Sequence, residues 1–318
     1  MSQIEITILK QGNPSKNVLS CCIFKMVNAY RDFSKYERHF KNFLIQSRNL
    51  RGFELRVYVD DTTKDIILPI VKSHAHVSVY HYNCPPFREG PGHTGIFGMV
   101  SRFLPLFEDG LEVVWISDID ISPNFLDPTI LTVMKRVNSD VFISTMLCSE
   151  RKPWLKVKYP IIAHRIISRV TFPKQIMTRF LNRVLNGDLN DLISEINVYN
   201  SRKSDESIFP YGLDEAFINS SIYNSIKKRD IKVVVNKDYF MQNIITYNAP
   251  NISQSEADAL SQFYRSPTPE LFKKVKGIYK THVPTILDKY PCLQELLDNL
   301  DTFKTSFTKT QLIGAHEL

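Results

Sequence analysis

The chain has 318 residues, 43% of them hydrophobic and 23% charged, the balance of a globular protein with room for one large α/β domain and an appendage. Its net charge of +7 points to phosphorylated or polyanionic partners. No apolar run approaches the roughly 20 residues of a membrane helix. The five cysteines (Cys21, Cys22, Cys84, Cys148, Cys292) are odd in number and lack metal-type Cys-x-x-Cys spacing, so they read as reduced, mostly buried thiols. The leader Met1 to Lys16 lacks the apolar core of a secretory signal. A reducing, cytoplasmic setting is therefore expected, and the sequons at Asn219 and Asn251 are read as chance.

In chain order, Val18-Leu19-Ser20-Cys21-Cys22-Ile23-Phe24 predicts the first strand. Phe33, Tyr36, Phe40, Phe43 and Leu44 recur at helical spacing over Arg31 to Ser47. Phe53 to Val59 predicts a second strand, ending in Asp60-Asp61. Thr62 or Thr63 can cap a short helix through Val71, and Val77 to Tyr80 predicts a third strand. Strand, helix, strand, helix, strand with short links is the mark of a parallel sheet. The loop Asn83 to Gly95 holds Cys84-Pro85-Pro86 and Gly90-Pro91-Gly92-His93-Thr94-Gly95, which continue neither helix nor strand. Ile96 to Phe107 then predicts a helix carrying Arg102 among apolar neighbours, ended or kinked by Pro105.

Val113-Val114-Trp115-Ile116-Ser117 is a buried-strand pattern that ends in Asp118-Ile119-Asp120. A turn is expected at Ser122-Pro123-Asn124, a helix over Leu126 to Val137 and a strand over Asp140 to Thr145. Nine bases and no acid run from Arg151 to Arg183, a pattern open to a solvated face or to contact with nucleotide phosphates, an anionic acceptor or nucleic acid. Helical stretches follow at Gln175 to Leu185 and Leu189 to Tyr199, then a polar loop over Ser201 to Pro210. Asp214-Glu215 open a helix through Ile226, Ile231 to Val235 is a late strand, and Ser253 to Leu300 predicts two or three helices.

Asp118 and Asp120 are the centre of the functional reading. Side chains two apart on an extended chain project the same way, and ligands of open α/β sheets bind beyond the carboxyl ends of the strands. Mg²⁺ takes one or two carboxylates plus substrate phosphates, and such a cation neutralises charge on a phosphate leaving group. The competing reading is a turn or helix cap at a strand end.

The Val113 to Asp120 strand, the Arg-bearing helix before it (Gly98 to Leu104) and Gly212-Leu213-Asp214-Glu215 about 95 residues after it resemble the GT-A-fold glycosyltransferases of glycogenin type. The string Gly92-His93-Thr94-Gly95-Ile96-Phe97-Gly98 with Arg102 to Phe107 is similar to transferase-like proteins of large DNA viruses, which would set the cytoplasm of a host, or the virion, as its location. The resemblance spans roughly residues 18 to 245. It implies a Rossmann-like, mostly parallel sheet flanked by helices over residues 1–248, with a helical C-terminal extension over 249–318. It implies a hexosyltransferase that uses a nucleotide-diphosphate sugar, Mn²⁺ or Mg²⁺, and a carbohydrate or glycoconjugate acceptor, with no membrane span and no nucleic acid. By position, Asp118 and Asp120 would bind the metal, Asp118 also reaching the ribose, and Arg102 would contact the donor sugar or its diphosphate. Asp214 and Glu215 would lie beside the anomeric carbon as hydroxyl holder or base, and Asp60 and Asp61 near the nucleotide base. His282 is the nearest candidate for a third metal ligand, although its surroundings depart from the glycogenin-type signature.

Each residue has a plainer reading. Arg102 could snorkel or pair with a structural acid, Asp214 and Glu215 could serve the helix dipole, and Asp60 and Asp61 are good turn residues. His93 suits a phosphate contact or a solvated loop, and Trp115 suits the core. Sugar-phosphate nucleotidyl transfer lacks its Gly-rich loop, since Lys25 to Arg31 contains no glycine. A polyanion- or nucleic-acid-binding protein rests on charge alone, and a degenerate transferase kept as a binding protein is the remaining alternative.

Overall fold

The computed structural model describes residues 4–26, 32–121, 126–147, 152–157, 160–199, 207–235, 237–265, 268–298, 300 and 312–313. Its strands are β1 (Glu5–Lys10), β2 (Asn17–Ile23), β3 (Phe53–Val59), β4 (Val77–Asn83), β5 (Arg88–Glu89) and β6 (Gly92–His93). They continue with β7 (Val113–Ser117), β8 (Val141–Ile143), β9 (Arg165–Ser168), β10 (Val233–Val235) and β11 (Leu312–Ile313). The helices are α1 (Phe33–Ser47), α2 (Lys64–Val71), α3 (Gly98–Ser101), α4 (Thr129–Arg136), α5 (Gln175–Leu185) and α6 (Asn190–Tyr199). After them come α7 (Leu213–Phe217), α8 (Tyr223–Lys228), α9 (Lys237–Asn248), α10 (Gln254–Arg265), α11 (Pro269–His282) and α12 (Gln294–Asp298).

Nine strands form one sheet in the order β1-β4-β3-β2-β7-β9-β8-β10-β11, and β5-β6 form a separate hairpin. β4, β3, β2 and β7 run parallel, as do β8 and β10. β9 is antiparallel to both β7 and β8, and β1 and β11 close the two edges antiparallel. The protein is thus a Rossmann-like α/β fold with a mostly parallel sheet. β3 is buried along its whole length, as expected of a strand covered on both faces. Period-2 alternation divides the core: Val114 and Ile116 face one layer, and Trp115, fully buried, faces the other against Phe53. α1, α2 and α4 cover the Trp115 face, and the later helices cover the opposite one.

Four features differ from the pattern read along the chain. The polar leader is not a loop: Glu5–Lys10 pairs with β4 and becomes an edge strand. The stretch Ile96 to Phe107 forms only the four-residue α3 and a 3-10 turn at Leu104–Phe107, because Pro105 cannot continue the ladder. β9 arises inside the basic segment and enters the middle of the sheet. Residues after 249 are not wholly helical, since β11 pairs with β10. Val275, Ile278 and Tyr279 of α11 share one core with Ile116 and Val233.

The basic segment is not a single face. Lys152 reaches Glu215, Arg165 is buried under Phe142, and Arg169 donates to the Ser139 carbonyl. The Ser122-Pro123-Asn124 turn, Cys148, Arg151, Lys158 and most of the Ser201 to Pro210 loop lie outside the described residues. Among the described residues no helix is long and apolar enough to cross a membrane.

Candidate active site

The β7 ladder stops at Ser117, whose register partner is Arg165. One residue on, the Asp118 N–H donates to the His164 carbonyl at 3.0 Å, so the chain leaves the sheet with Asp118 half-buried and Asp120 exposed. Arg102 ends α3 and is tied to β2, its carbonyl accepting from Ser20 Oγ at 2.7 Å. Its guanidinium, only 2% exposed, donates through Nη1 to Asp118 Oδ1 and through Nη2 to Asp214 Oδ2 at 3.0 Å and the Ala163 carbonyl at 3.1 Å. A buried cation is costly unless it is paired and hydrogen-bonded, and here one arginine joins the end of β7 to the start of α7. Burial pushes the Asp118 carboxyl up to about 6; Arg102 pulls it down, while Asp120 and Asp214 add to the rise.

Asp214 and Glu215 are both buried. Gly212, at φ +102°, supplies the left-handed turn that starts α7 and brings both acids inward. Asn219 braces this turn: its Oδ1 accepts from Ile161 N, and its Nδ2 donates to the carbonyls of Ile161 and Glu215, each at 2.8 Å. A π-helical turn at Ile218–Ile222 follows, a form often found next to functional sites. Lys152 Nζ donates to Glu215 Oε2 at 2.5 Å. Burial raises the Glu215 carboxyl, Lys152 opposes the rise, and Asp214 and Asp118 reinforce it.

Beside these acids lies a cleft of about 230 Å³, lined by Arg102, Asp118 and Asp120 together with the rings of Phe24, Phe33, Tyr36 and Tyr211. Lys25 also lines it, with its ammonium 4.8 Å from the Phe33 ring centre. The four carboxylates Asp118, Asp120, Asp214 and Glu215 lie among three cations, Arg102, Lys152 and the Lys25 of the cleft wall, an oxygen-rich set of donors. That donor chemistry suits one hard divalent cation completed by substrate phosphate and water. Among the described residues no three His, Cys, Asp or Glu side chains converge as a ready-made metal cage.

The sequence pattern misses Lys152, which lies in a proline-interrupted basic run, and Tyr36 and Tyr211, whose spacing signals only helix or loop. It also misses His164. That ring lies 3.1 Å from Ser144 Oγ and 3.0 Å from Thr145 Oγ1. Burial, with Arg165 and Arg102 nearby, holds it down to about 3, so it is a neutral spacer behind Asp118.

Four expected site residues are engaged elsewhere. Asp60 is fully buried, accepts from Thr62 N at 3.0 Å and from Tyr82 Oη at 3.3 Å, and closes its own turn. Asp61 accepts from Lys64 at 2.6 Å, from Arg88, and lies 3.0 Å from His81 Nε2. Its carboxyl is held well below the usual range by Lys64 first, then by Arg88 and His81. His93 is buried among Tyr82 and Phe97, its Nε2 accepting from Cys84 N at 3.0 Å, and it pins the hairpin. His282, at the end of α11, lies 3.2 Å from Glu256 in the C-terminal helices and is not gathered with Asp118 and Asp120.

No protein-family model matches the chain, and no curated protein matches it. Among solved structures it is similar to the 4-diphosphocytidyl-2C-methyl-D-erythritol synthase of Anaerococcus prevotii DSM 20548. The two are 13% identical, with 70% of this chain and 89% of that chain covered at a TM-score of 0.36. A likeness this distant leaves the chemistry to be argued from the site.

Proposed function

We propose that this chain is a glycosyltransferase: a nucleotide-diphosphate sugar is the donor, Mn²⁺ or Mg²⁺ binds at Asp118 and Asp120, and a carbohydrate or glycoconjugate hydroxyl is the acceptor. The observation that carries the reading is the Arg102 clasp. One buried guanidinium gathers the Asp-x-Asp strand end and Asp214, 112 positions from Arg102 itself, beside an aromatic-lined cleft at the carboxyl ends of parallel strands. When bound, the cation supplies charge neutralisation of the departing diphosphate.

The chain's own groups account for the remaining steps. The rings of Phe33, Tyr36 and Tyr211 offer a surface for a nucleobase. Arg102 fixes Oδ2 of Asp214, and Oδ1 would accept from a donor-sugar hydroxyl. Glu215, raised by its burial, has the affinity to take a proton from the acceptor hydroxyl. That oxygen bonds the anomeric carbon as the bond to the diphosphate breaks, and the electron pair leaves with the nucleoside diphosphate. The polyanion-binding reading loses ground because Lys152, Arg165 and Arg169 of the basic run have internal partners.

Thermal unfolding with a panel of uridine and guanosine diphosphate sugars, with and without Mn²⁺, tests the proposal. At 100 times Kd, ligand adds about 2.7 kcal/mol to the native state. The gain should require Mn²⁺ and disappear in Asp120→Ala and Asp118→Ala. Wild-type melting unmoved by every member of the panel would overturn it.

A further inference from the structure

Beyond Glu215, the site runs on to a surface outside the donor cleft. Lys152, paired with Glu215, also sits 5.2 Å from the centre of the Trp154 ring. Trp154 in turn lies against Tyr199, with ring centres 5.5 Å apart and planes at 31°. Tyr199 is the last residue of α6 and is 55% exposed, and Val198 beside it is 81% exposed. One helical turn back, buried Ile196 anchors this face to the site: a Cβ at Gly212 would lie 3.8 Å from Ile196 and 4.0 Å from Glu215 Oε2. An unbroken line of contacts thus leads from Asp118 through Arg102, Asp214, Glu215, Lys152 and Trp154 to Tyr199.

We infer that the Trp154–Tyr199 ledge is the acceptor subsite, and that its occupant is an uncharged sugar ring whose C–H face rests on the aromatics with a hydroxyl turned toward Glu215. The inference rests on the glycosyl-transfer reading and gives its acceptor a place and a chemical class. Two features of the ledge select that class. Among the described residues Lys152 is paired with Glu215 and Lys156 with Glu195 at 3.4 Å, so neither pair leaves a spare cation for an anionic acceptor. The exposed Tyr199 ring, backed by Trp154 at 9% exposure and by the largely buried Lys152–Glu215 pair, also suits a ligand with one apolar face and a polar rim.

The test uses the full chain and the methyl glycosides of glucose, galactose, mannose and N-acetylglucosamine, followed by saturation-transfer NMR and tryptophan fluorescence. The chain has two tryptophans, and Trp115 is fully buried in the sheet core, so a sugar-dependent emission change reports on Trp154. At least one glycoside should bind. Tyr199→Ala should weaken it by about tenfold, while Tyr199→Phe, which keeps the ring, should restore it. Both variants should retain the Mn²⁺-dependent stabilisation by nucleotide sugar. Failure of all four glycosides to bind wild type, wild-type affinity in Tyr199→Ala, or tighter binding of glucose 6-phosphate than of methyl glucoside would each overturn the inference. If glycosides bind as described but no nucleotide sugar stabilises the protein, the donor assignment fails and the ledge stands as a sugar site.

Discussion

Two parallel strands of the same sheet end in a pair of acids, and the structure uses the two pairs in opposite ways. After β3, Asp60 and Asp61 are adjacent, so they project to different sides. Each meets donors supplied by its own neighbourhood, Thr62 and Tyr82 for the first, Lys64 and Arg88 for the second. After β7, Asp118 and Asp120 are two apart, project alike, and line the cleft. What fixes Asp118 is a distant arginine, and the arginine is shared with a second carboxylate. The first pair is held by groups around its own turn, whereas Asp118 is held by a cation that comes from another element of the fold.

The largest effect should come from Arg102→Met. Removing one member of a buried ion network strands the others, so a loss of about 3 kcal/mol in urea unfolding is expected, together with loss of nucleotide-sugar binding. A loss below about 1 kcal/mol would mean that Arg102 only snorkels. Asp60→Ala should cost about 2 kcal/mol, because Tyr82 and the Thr62 N–H are left without their acceptor. The Mn²⁺-dependent thermal gain should nevertheless persist, and its disappearance would return Asp60 to the binding site.

The pH dependence separates the two pairs further. The Asp118 carboxyl lies above its ordinary value of 3.8, at about 6, so its contribution to stability is full below that ordinary value and is lost as pH rises through about 6. Conversely, a cation must displace its proton. Stabilisation by nucleotide sugar with Mn²⁺ should therefore weaken as pH falls from 7 to 5, which calorimetric melts can follow, and this trend should vanish in Asp118→Asn. The smallest effect belongs to His282→Ala. His282 is buried but its partner Glu256 is partly solvated, so about 1 kcal/mol should be lost. Mn²⁺ response should be unchanged, and a Mn²⁺ response that vanished would make His282 a ligand after all.

The parts of the fold that were legible in the chain are those written as local periodicity. β2, β3, β4 and β7 are runs of apolar residues, and α1 shows its buried face as Phe40, Phe43 and Leu44. β1 and β9 were not legible. Glu5–Lys10 is mostly exposed and becomes a strand only because β4 has an open edge. Arg165–Ser168 is read as part of a basic run until β7 and β8 are seen to flank it. The same division holds at the site, where Asp118, Asp120, Arg102, Asp214 and Glu215 stand out by residue type and context, while Lys152, His164, Tyr199 and Tyr211 do not.

By itself, then, the chain determined where buried strands run and that one of them ends in two carboxylates on the same side. Those properties depend on neighbours one to four residues away, and side-chain geometry on a strand or helix sets them. Only the tertiary structure decided which acids keep company. Arg102 reaches Asp214 and Lys152 reaches Glu215 because sheet order and the packing of α7 bring distant segments within 3 Å. Asp60 and Asp61 are held partly by local turn partners, Thr62 and Lys64, and partly by the distant Tyr82 and Arg88, while His282 meets Glu256, which no local pattern reveals. Pairing of charges depends on distance and desolvation in space, and neither quantity is written in sequence spacing.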